Sequence, residues 1–397
     1  MMRLVRAIEV LAWALFFAFA ALVLALRYWV LPDIERYRDD IVAVVSSTVG
    51  QPVRIGAIEA GWLGLRPQVS LFDVRVYDAA GREALVLPVV DNVMSWRSLL
   101  RGGLRLHSLV IDRPRLSVRR DAAGEIYVAG IKLSPSRSDA RLMDWILAQE
   151  EIVVSNAEIE WRDEKRSAPP LALSALDLRL RNSGHEHSFG LSARPPAALG
   201  SALDVRAELD GESLTQFSDW NGRLYLEIGA TDLAGWRTWV DYPVDVRQGQ
   251  GALRLWATLE KGQAKQATLD LELARVVARL GKDLPTLALA SLRGRIRGQE
   301  RAGGYEVAGR QLALAAERGP AMSPADFRIA WQPAGKSAEH GSAVASALEL
   351  EPMANLAESL PFPAEIRKTL VDLALRGRIL DARLEWKIGR ASCRERV

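Results

Sequence analysis

The sequence predicts a mainly β protein: an N-terminal transmembrane helix followed by an elongated, curved antiparallel β-groove of repeated strands with a few short helices. Three observations carry that expectation. One apolar run near the N-terminus is long enough to cross a bilayer, the apolar period changes from 3.6 to 2 at about residue 52, and helical patterning returns afterwards only in short pieces.

The anchor comes first. Val10 to Leu26 is an unbroken run of 17 apolar residues (VLAWALFFAFAALVLAL). Val10, Leu11, Trp13, Leu15, Phe16, Phe17, Phe19, Leu22, Val23, Leu24 and Leu26 are its large members. Arg3 and Arg6 precede the run and Tyr28 and Trp29 close it. Basic residues stay on the cytoplasmic side and aromatic rings favour the interface, so the N-terminus is expected in the cytoplasm and the chain beyond residue 32 outside it. A cleaved signal peptide is the competing reading. Ala18-Phe19-Ala20 has the small-x-small form of a cleavage site, but it sits inside the apolar run.

Residues 33–50 follow as an amphipathic linker or cap helix. Ile34, Tyr37, Ile41, Val44 and Val45 form one face, charged residues the other, and Gly50 stops the helix.

Strands then succeed one another. Leu176, Leu178 and Leu180 alternate with charged residues before an Asn182-Ser183-Gly184 turn. Leu203, Val205 and Leu209 repeat the pattern, and so do Leu224, Leu226 and Ile228. The clearest hairpin places Leu253, Leu255 and Leu259 opposite Leu269, Leu271 and Leu273 through a Lys261-Gly262 turn. Arg293, Arg295 and Arg297 make a solvated row. About sixteen strands at roughly 4.8 Å each would extend roughly 75 Å.

Helical patterning reappears at Ser138–Gln149, Leu233–Val240 and Met353–Leu360. The segments 228–259 and 346–386 both run strand, short helix, turn, strand, which suggests an internal repeat. The expected division is residues 1–32 as cytoplasmic N-terminus and anchor, 33–50 as cap, 51–230 as a first groove segment and 231–386 as a second, truncated one. Residues 387–397 (KIGRASCRERV) read as a translated sequencing adapter, which implies that the gene runs on.

Charge and cysteine content exclude several functions. The formal charge of +3 is carried entirely by the last eleven residues, so no electrostatic footprint for nucleic acid is present. Cys393, the sole cysteine, lies in that tail, which leaves no disulfide or thiolate-metal chemistry and no cofactor to expect. There is no Gly-x-Ser-x-Gly elbow and no His-Glu-x-x-His helix, and Gly335-Lys336-Ser337 lacks the upstream glycine of a phosphate loop because position 330 is Ala330. His185 and His187 are expected at the surface, His107 and His340 without partners, and Asp163 and Glu164 solvated. No catalytic residue, metal ligand or acid–base pair stands out, and an enzyme is not expected.

A one-sided apolar sheet must be covered by a second layer, a partner or a ligand. With so few helical residues the groove-lining candidates are Leu176, Leu178, Leu180, Leu203, Val205, Leu209, Leu224, Leu226, Ile228, Leu253, Leu255, Leu259, Leu269, Leu271 and Leu273. Phospholipid acyl chains fit such a trough. Two chains of about fifteen methylenes each lose roughly 24 kcal/mol on entering water, at about 0.8 kcal/mol per methylene. Alternation alone equally allows a closed sandwich or barrel with a filled core.

Three stretches resemble the YhdP branch of the AsmA-like family of Gram-negative envelope proteins. They are GQPVRIGAIEAGWLGLRPQVSLFDVRV (Gly50 to Val76), LMDWILAQEEIVVSNAEIEWRDE (Leu142 to Glu164) and LYLEIGATDLAGWRTWV (Leu224 to Val240). ELEPMANLAESLPFP (Glu349 to Pro363) looks like a later copy of the family pattern. The resemblance implies an inner-membrane anchor with the bulk of the chain in the periplasm. It also implies movement of phospholipid between inner and outer membranes and support of the outer-membrane permeability barrier, as the N-terminal fragment of a longer protein. A periplasmic scaffold for outer-membrane protein assembly, with envelope protein partners, is the alternative.

Overall fold

The computed structural model describes residues 2–77, 81, 83–96, 105–128, 131–133, 144–242, 244–301, 303–317, 319–332, 339–360, 367–368 and 376–388. Residues 138–143 of the expected Ser138–Gln149 helix, the Gly335-Lys336-Ser337 triplet and residues 389–397 of the tail lie outside them. The protein is mainly β, with an N-terminal apolar helix and few short helices. Helix α1 spans Met2–Ala25 and continues into a π-helical turn, Leu26–Val30. The apolar stretch Val5–Val30 has a mean hydropathy of 2.4 in its most apolar 18 residues, none of them buried. A 3-10 turn (Ile34–Tyr37) then leads into α2 (Arg38–Val49). Gly50 ends α2 in the left-handed region at φ +75°, its N–H donating to the Ser46 carbonyl at 2.8 Å.

Twenty strands follow among the described residues: β1 (Val53–Arg54), β2 (Ala57–Leu63), β3 (Arg66–Tyr77), β4 (Glu83–Met94), β5 (Leu106–Asp112), β6 (Arg115–Arg120), β7 (Ile126–Val128), β8 (Ile131–Leu133), β9 (Glu151–Asp163), β10 (Leu171–Ser183), β11 (Glu186–Arg194), β12 (Leu203–Asp210), β13 (Asn221–Asp232), β14 (Asp245–Glu260), β15 (Gln263–Arg279), β16 (Leu287–Arg301), β17 (Gly304–Ala316), β18 (Met322–Gln332), β19 (Glu339–Glu349) and β20 (Arg378–Ile388). The number exceeds sixteen partly through the very short β1, β7 and β8, which carry too little alternation to be read from sequence. The described pairings are antiparallel except β5 with β9, which run parallel with Leu109 opposite Ile152. A parallel pair needs a crossover connection rather than a tight turn, and residues 113–150 supply it.

The chain forms two compact units, one of residues 1–160 with 177–182 and the other of residues 161–176 with 183–397. In the first, Val53, Ile58, Leu71, Val74, Val76, Val90, Leu106 and Ile152 build a buried core. Ile34, Ile41, Val42 and Val45 of the α2 segment pack against it, as do Trp145 and Ile146 from the short helix at residues 144–147, and Leu180 of β10. Tyr37 and Val44, expected on the packed face of α2, are exposed, and Val42 packs instead. The 3-10 start rotates the helix relative to a continuous 3.6-residue register.

In the second unit β11 to β20 pair each with the next, so chain order and sheet order agree. The two expected strand-helix-strand segments are both present: β13, a helix at Leu233–Trp236, β14; and β19, a helix at Leu350–Ala357, β20. Asp232 caps the first helix, its Oδ1 accepting from the N–H groups of Ala234 (3.0 Å) and Gly235 (3.2 Å). The second helix starts at Leu350, three residues before the expected Met353, and its Leu356 is buried in the core of this unit.

Candidate functional site

Cross-strand register aligns the predicted apolar residues. In antiparallel strands directly paired residues point to the same face, so each chain of pairings is a row across the sheet. One row runs Leu191, Val205, Leu226, Leu255, Leu269, Ile296, Gly309, Phe327, Ala345, Ala382 from β11 to β20. The next, two residues along each strand, runs Phe189, Ala207, Leu224, Ala257, Ala267, Gly298, Val307, Ile329, Ala343, Leu384. Both rows cross ten strands without a polar side chain. At about 4.8 Å per strand that is roughly 43 Å of apolar path. At Gly309 an aromatic ring fills the space, since a Cβ there would collide with the Phe327 ring.

The flanking rows hold the remaining predicted residues. Leu203, Ile228, Leu253 and Leu271 pair in one, and Leu209 pairs with His187 and with Gly222, which in turn pairs with Leu259. Coverage differs along the face. Ile228, Leu271 and Leu273 are buried, whereas Leu224, Leu226, Leu255, Leu259 and Leu269 are half-buried and Leu384 is 62% exposed. Leu233 and Leu356, borne on the two short helices, pack into the cluster of Leu271, Leu273, Val276, Leu287 and Leu289. Phe189, Leu224, Ala257 and Val307 of the outer row lie outside that cluster. A cleft of about 750 Å³ on these strands is lined mainly from the opposite face, by Ala252, Glu272, Ala274, Ser291, Arg293 and Ala313.

Sequence reading missed part of this face because the strands change phase. Arg275 has φ +51° and forms a bulge against β14: Gln250 pairs with Ala274 but Gln248 with Val277. Leu269, Leu271 and Leu273 lie before the bulge; Val276 and Ala278 continue the same apolar side after it, on the opposite parity. Asp73 in β3, Asn156 in β9, Ala175 in β10 and Gln311 in β17 have the same left-handed φ. At two of them a neighbouring carboxylate holds the bulge: the Asn156 N–H donates to Asp177 Oδ1 (2.9 Å) and the Gln311 N–H to Asp326 Oδ1 (2.8 Å). The adjacent apolar pair Val276-Val277 after an alternating run is the sequence signal of the slip.

Leu176 and Leu178 precede Leu180 on β10 beyond its Ala175 bulge; Leu176 is buried at 2% exposure and Leu178 half-buried. The anchor residues Val10, Leu11, Trp13, Leu15, Phe16, Phe17, Phe19, Leu22 and Leu24 are exposed, and Val23 and Leu26 half-buried.

The opposite face is ionic. Arg254 Nε donates to Glu227 Oε1 (2.8 Å), Arg295 Nη2 to Asp270 Oδ2 (2.6 Å) and Arg206 Nη2 to Asp204 Oδ2 (2.7 Å). The Arg295 hydrogen bond holds the Asp270 carboxyl below the ordinary carboxylate range.

Three polar residues depart from expectation. His187 is buried, not at the surface: it shares the apolar face, stacks on Trp220 at 5.2 Å and donates from Nε2 to the Gly211 carbonyl at 3.0 Å. Asp163 is buried because its carboxylate turns inward at the end of β9 and accepts from the Arg166 N–H at 3.2 Å. His107 has a partner, Glu150 Oε2, at 2.6 Å from Nδ1.

Comparison with known proteins bears on what such a face accepts. The sequence matches the YhdP protein family over residues 1–395. The chain belongs to the YhdP family. A curated relative is the Escherichia coli (strain K12) protein named intermembrane phospholipid transporter YhdP, 23% identical over 264 residues. Those residues are 66% of this chain and 20% of that protein, so the chain spans about a fifth of the relative's length. No solved structure matches.

Proposed function

We propose that this YhdP-family chain is an inner-membrane-anchored periplasmic segment of a conduit for phospholipid between inner and outer membranes, supporting the outer-membrane permeability barrier, with no catalytic step. The observation that carries the reading is the pair of apolar rows, uninterrupted across β11 to β20 and half-buried over much of their length. Acyl chains laid across the strands would exchange the bilayer interior for leucine, valine and alanine, at roughly 0.8 kcal/mol for each methylene kept from water. Headgroups would stay wet at the open side. The E. coli relative is named a phospholipid transporter, which is the same chemistry. Residues 51–230 and 231–386 act in this reading as successive groove segments, with Val10 to Leu26 as the anchor and the N-terminus in the cytoplasm.

Site-specific photocrosslinking tests it. A benzophenone side chain at Leu226 or Leu255 in membrane-embedded protein is expected to capture phospholipid, identified by mass spectrometry, while the same probe at Arg206 on the ionic face captures none. Equal capture at all three positions, or none at Leu226 and Leu255, refutes the reading. A protein adduct at Leu226 and Leu255 in place of lipid supports the scaffold alternative.

A further inference from the structure

The hairpin of β2 and β3 ends on Leu63-Gly64-Leu65. Gly64 makes the turn at φ +61°, and the two leucines are 57% and 68% exposed. Single exposed leucines are ordinary on protein surfaces; position makes this pair informative. Trp62 lies under the Arg27 guanidinium, 5.9 Å from ring centroid to Cζ, and Arg27 belongs to the π turn that closes the apolar helix.

A second contact lies deeper. Val93 of β4 pairs with Gln68 of β3, so the chain leaves β4 toward Trp96 at the same end of the sheet as the hairpin tip. The Trp96 ring meets Phe19 edge-on at 4.9 Å between centroids. Phe19 and Arg27 are about 12 Å apart along a helix rising 1.5 Å per residue. This end of the sheet therefore runs alongside the last turns of the Val5–Val30 stretch and does not stop at its end. The Ile58 N–H, donating to Glu35 Oε2 at 3.2 Å, ties β2 to the segment that leaves the helix.

Whatever lies beside those turns shares their depth in a membrane. Trp29 and Tyr28, 78% and 66% exposed, mark the interface there, with Trp62 beside the adjacent Arg27. We propose that the β2–β3 tip, Leu63-Gly64-Leu65, dips into the bilayer leaflet beside the anchor, so that the partner of this surface is lipid. The proposal rests on reading the apolar helix as a transmembrane anchor. It puts the start of the sheet in direct contact with the leaflet from which cargo would be drawn.

Spin labelling decides the matter, and a chain with a single cysteine, Cys393, is well suited to it. In a Cys393→Ser background, nitroxides are attached at Leu15→Cys in the helix, Leu65→Cys at the tip and Ala122→Cys in the exposed β6–β7 turn. The full chain is reconstituted in phosphatidylethanolamine–phosphatidylglycerol vesicles. Relaxation by oxygen, which concentrates in lipid, is compared with relaxation by a water-soluble nickel chelate. The labels at positions 15 and 65 are expected to lose most of the nickel effect that the label at 122 shows, while keeping the oxygen effect. Nickel access at 65 equal to that at 122, with 15 still protected, overturns the proposal and leaves the anchor standing. Nickel access at 15 overturns the anchor and the proposal together. Shielding of position 65 from both reagents means that protein covers the tip, and also overturns it.

Discussion

Leu255 and Leu271 lie on one face of neighbouring strands yet differ in what covers them. Leu271 is 8% exposed within the cluster that Leu356 closes, while Leu255 is half-buried in the row that crosses all ten strands. Leu271→Ala should therefore cost about 2–5 kcal/mol of stability, the range for a leucine cavity in a packed core. Leu255→Ala should cost much less, and urea unfolding of the two variants checks the order. Leu255→Glu is accordingly the substitution suited to blocking the apolar path without unfolding the sheet. On the ionic face Asp270 has a folded pKa lowered by Arg295. Its stabilising effect is full above its unfolded pKa, about 3.9, and is lost as pH falls through the lower folded value. Asp270→Asn should cost about 0.5 kcal/mol at pH 7, reduced by solvent screening of the half-exposed Arg295, with no difference from the parent below the folded pKa. Denaturant midpoints from pH 7 to pH 2 test the convergence.

Strand β15 shows what a single inserted residue does to an element. Without the bulge at Arg275, Val276 and Ala278 would turn to the ionic face, since side chains alternate with a period of two. Arg275→Val, whose β-branched side chain resists positive φ, should destabilise the second unit by about 1–3 kcal/mol, because regular extended backbone at position 275 would turn buried Val276 to the ionic face. Arg275→Gly keeps the bulge, since glycine accepts positive φ, and should stay within about 1 kcal/mol of the parent. Thermal melts of the two variants separate loss of the bulge from loss of the arginine side chain. The same logic explains why strict alternation located Leu269, Leu271 and Leu273 but passed over Val276, Ala278 and Leu289. A bulge shifts phase by one residue, and its cause lies partly on the neighbouring strand, as Asp177 and Asp326 show at Asn156 and Gln311.

At the scale of the whole chain the apolar helix and the strands make separate demands on solvent. Val5–Val30 has no buried residue in its most apolar window, so protein leaves most of its apolar surface uncovered. Full-length protein should therefore remain with membranes through an alkaline carbonate wash, whereas a chain beginning at residue 33 should be largely released. Immunoblots of pellet and supernatant give the answer. The sheet divides its own coverage. In the first unit α2 and the 144–147 helix pack on the core, whereas in the second the two short helices join the cluster from Leu271 to Leu289, which leaves out Leu224 and Ala257.

The apolar helix, the switch from a period of 3.6 to 2 and the alternation that puts leucines on one side of each strand were legible in the chain, because these are local consequences of side-chain order. His187 and Asp163, the parallel β5–β9 pairing and the bulges escaped that reading. Which leucines lie beneath a helix and which remain half-open follows from the folded arrangement. That outcome depends on how strands distant in sequence set their register and where Leu233 and Leu356 come to rest, and no run of neighbouring residues contains that information.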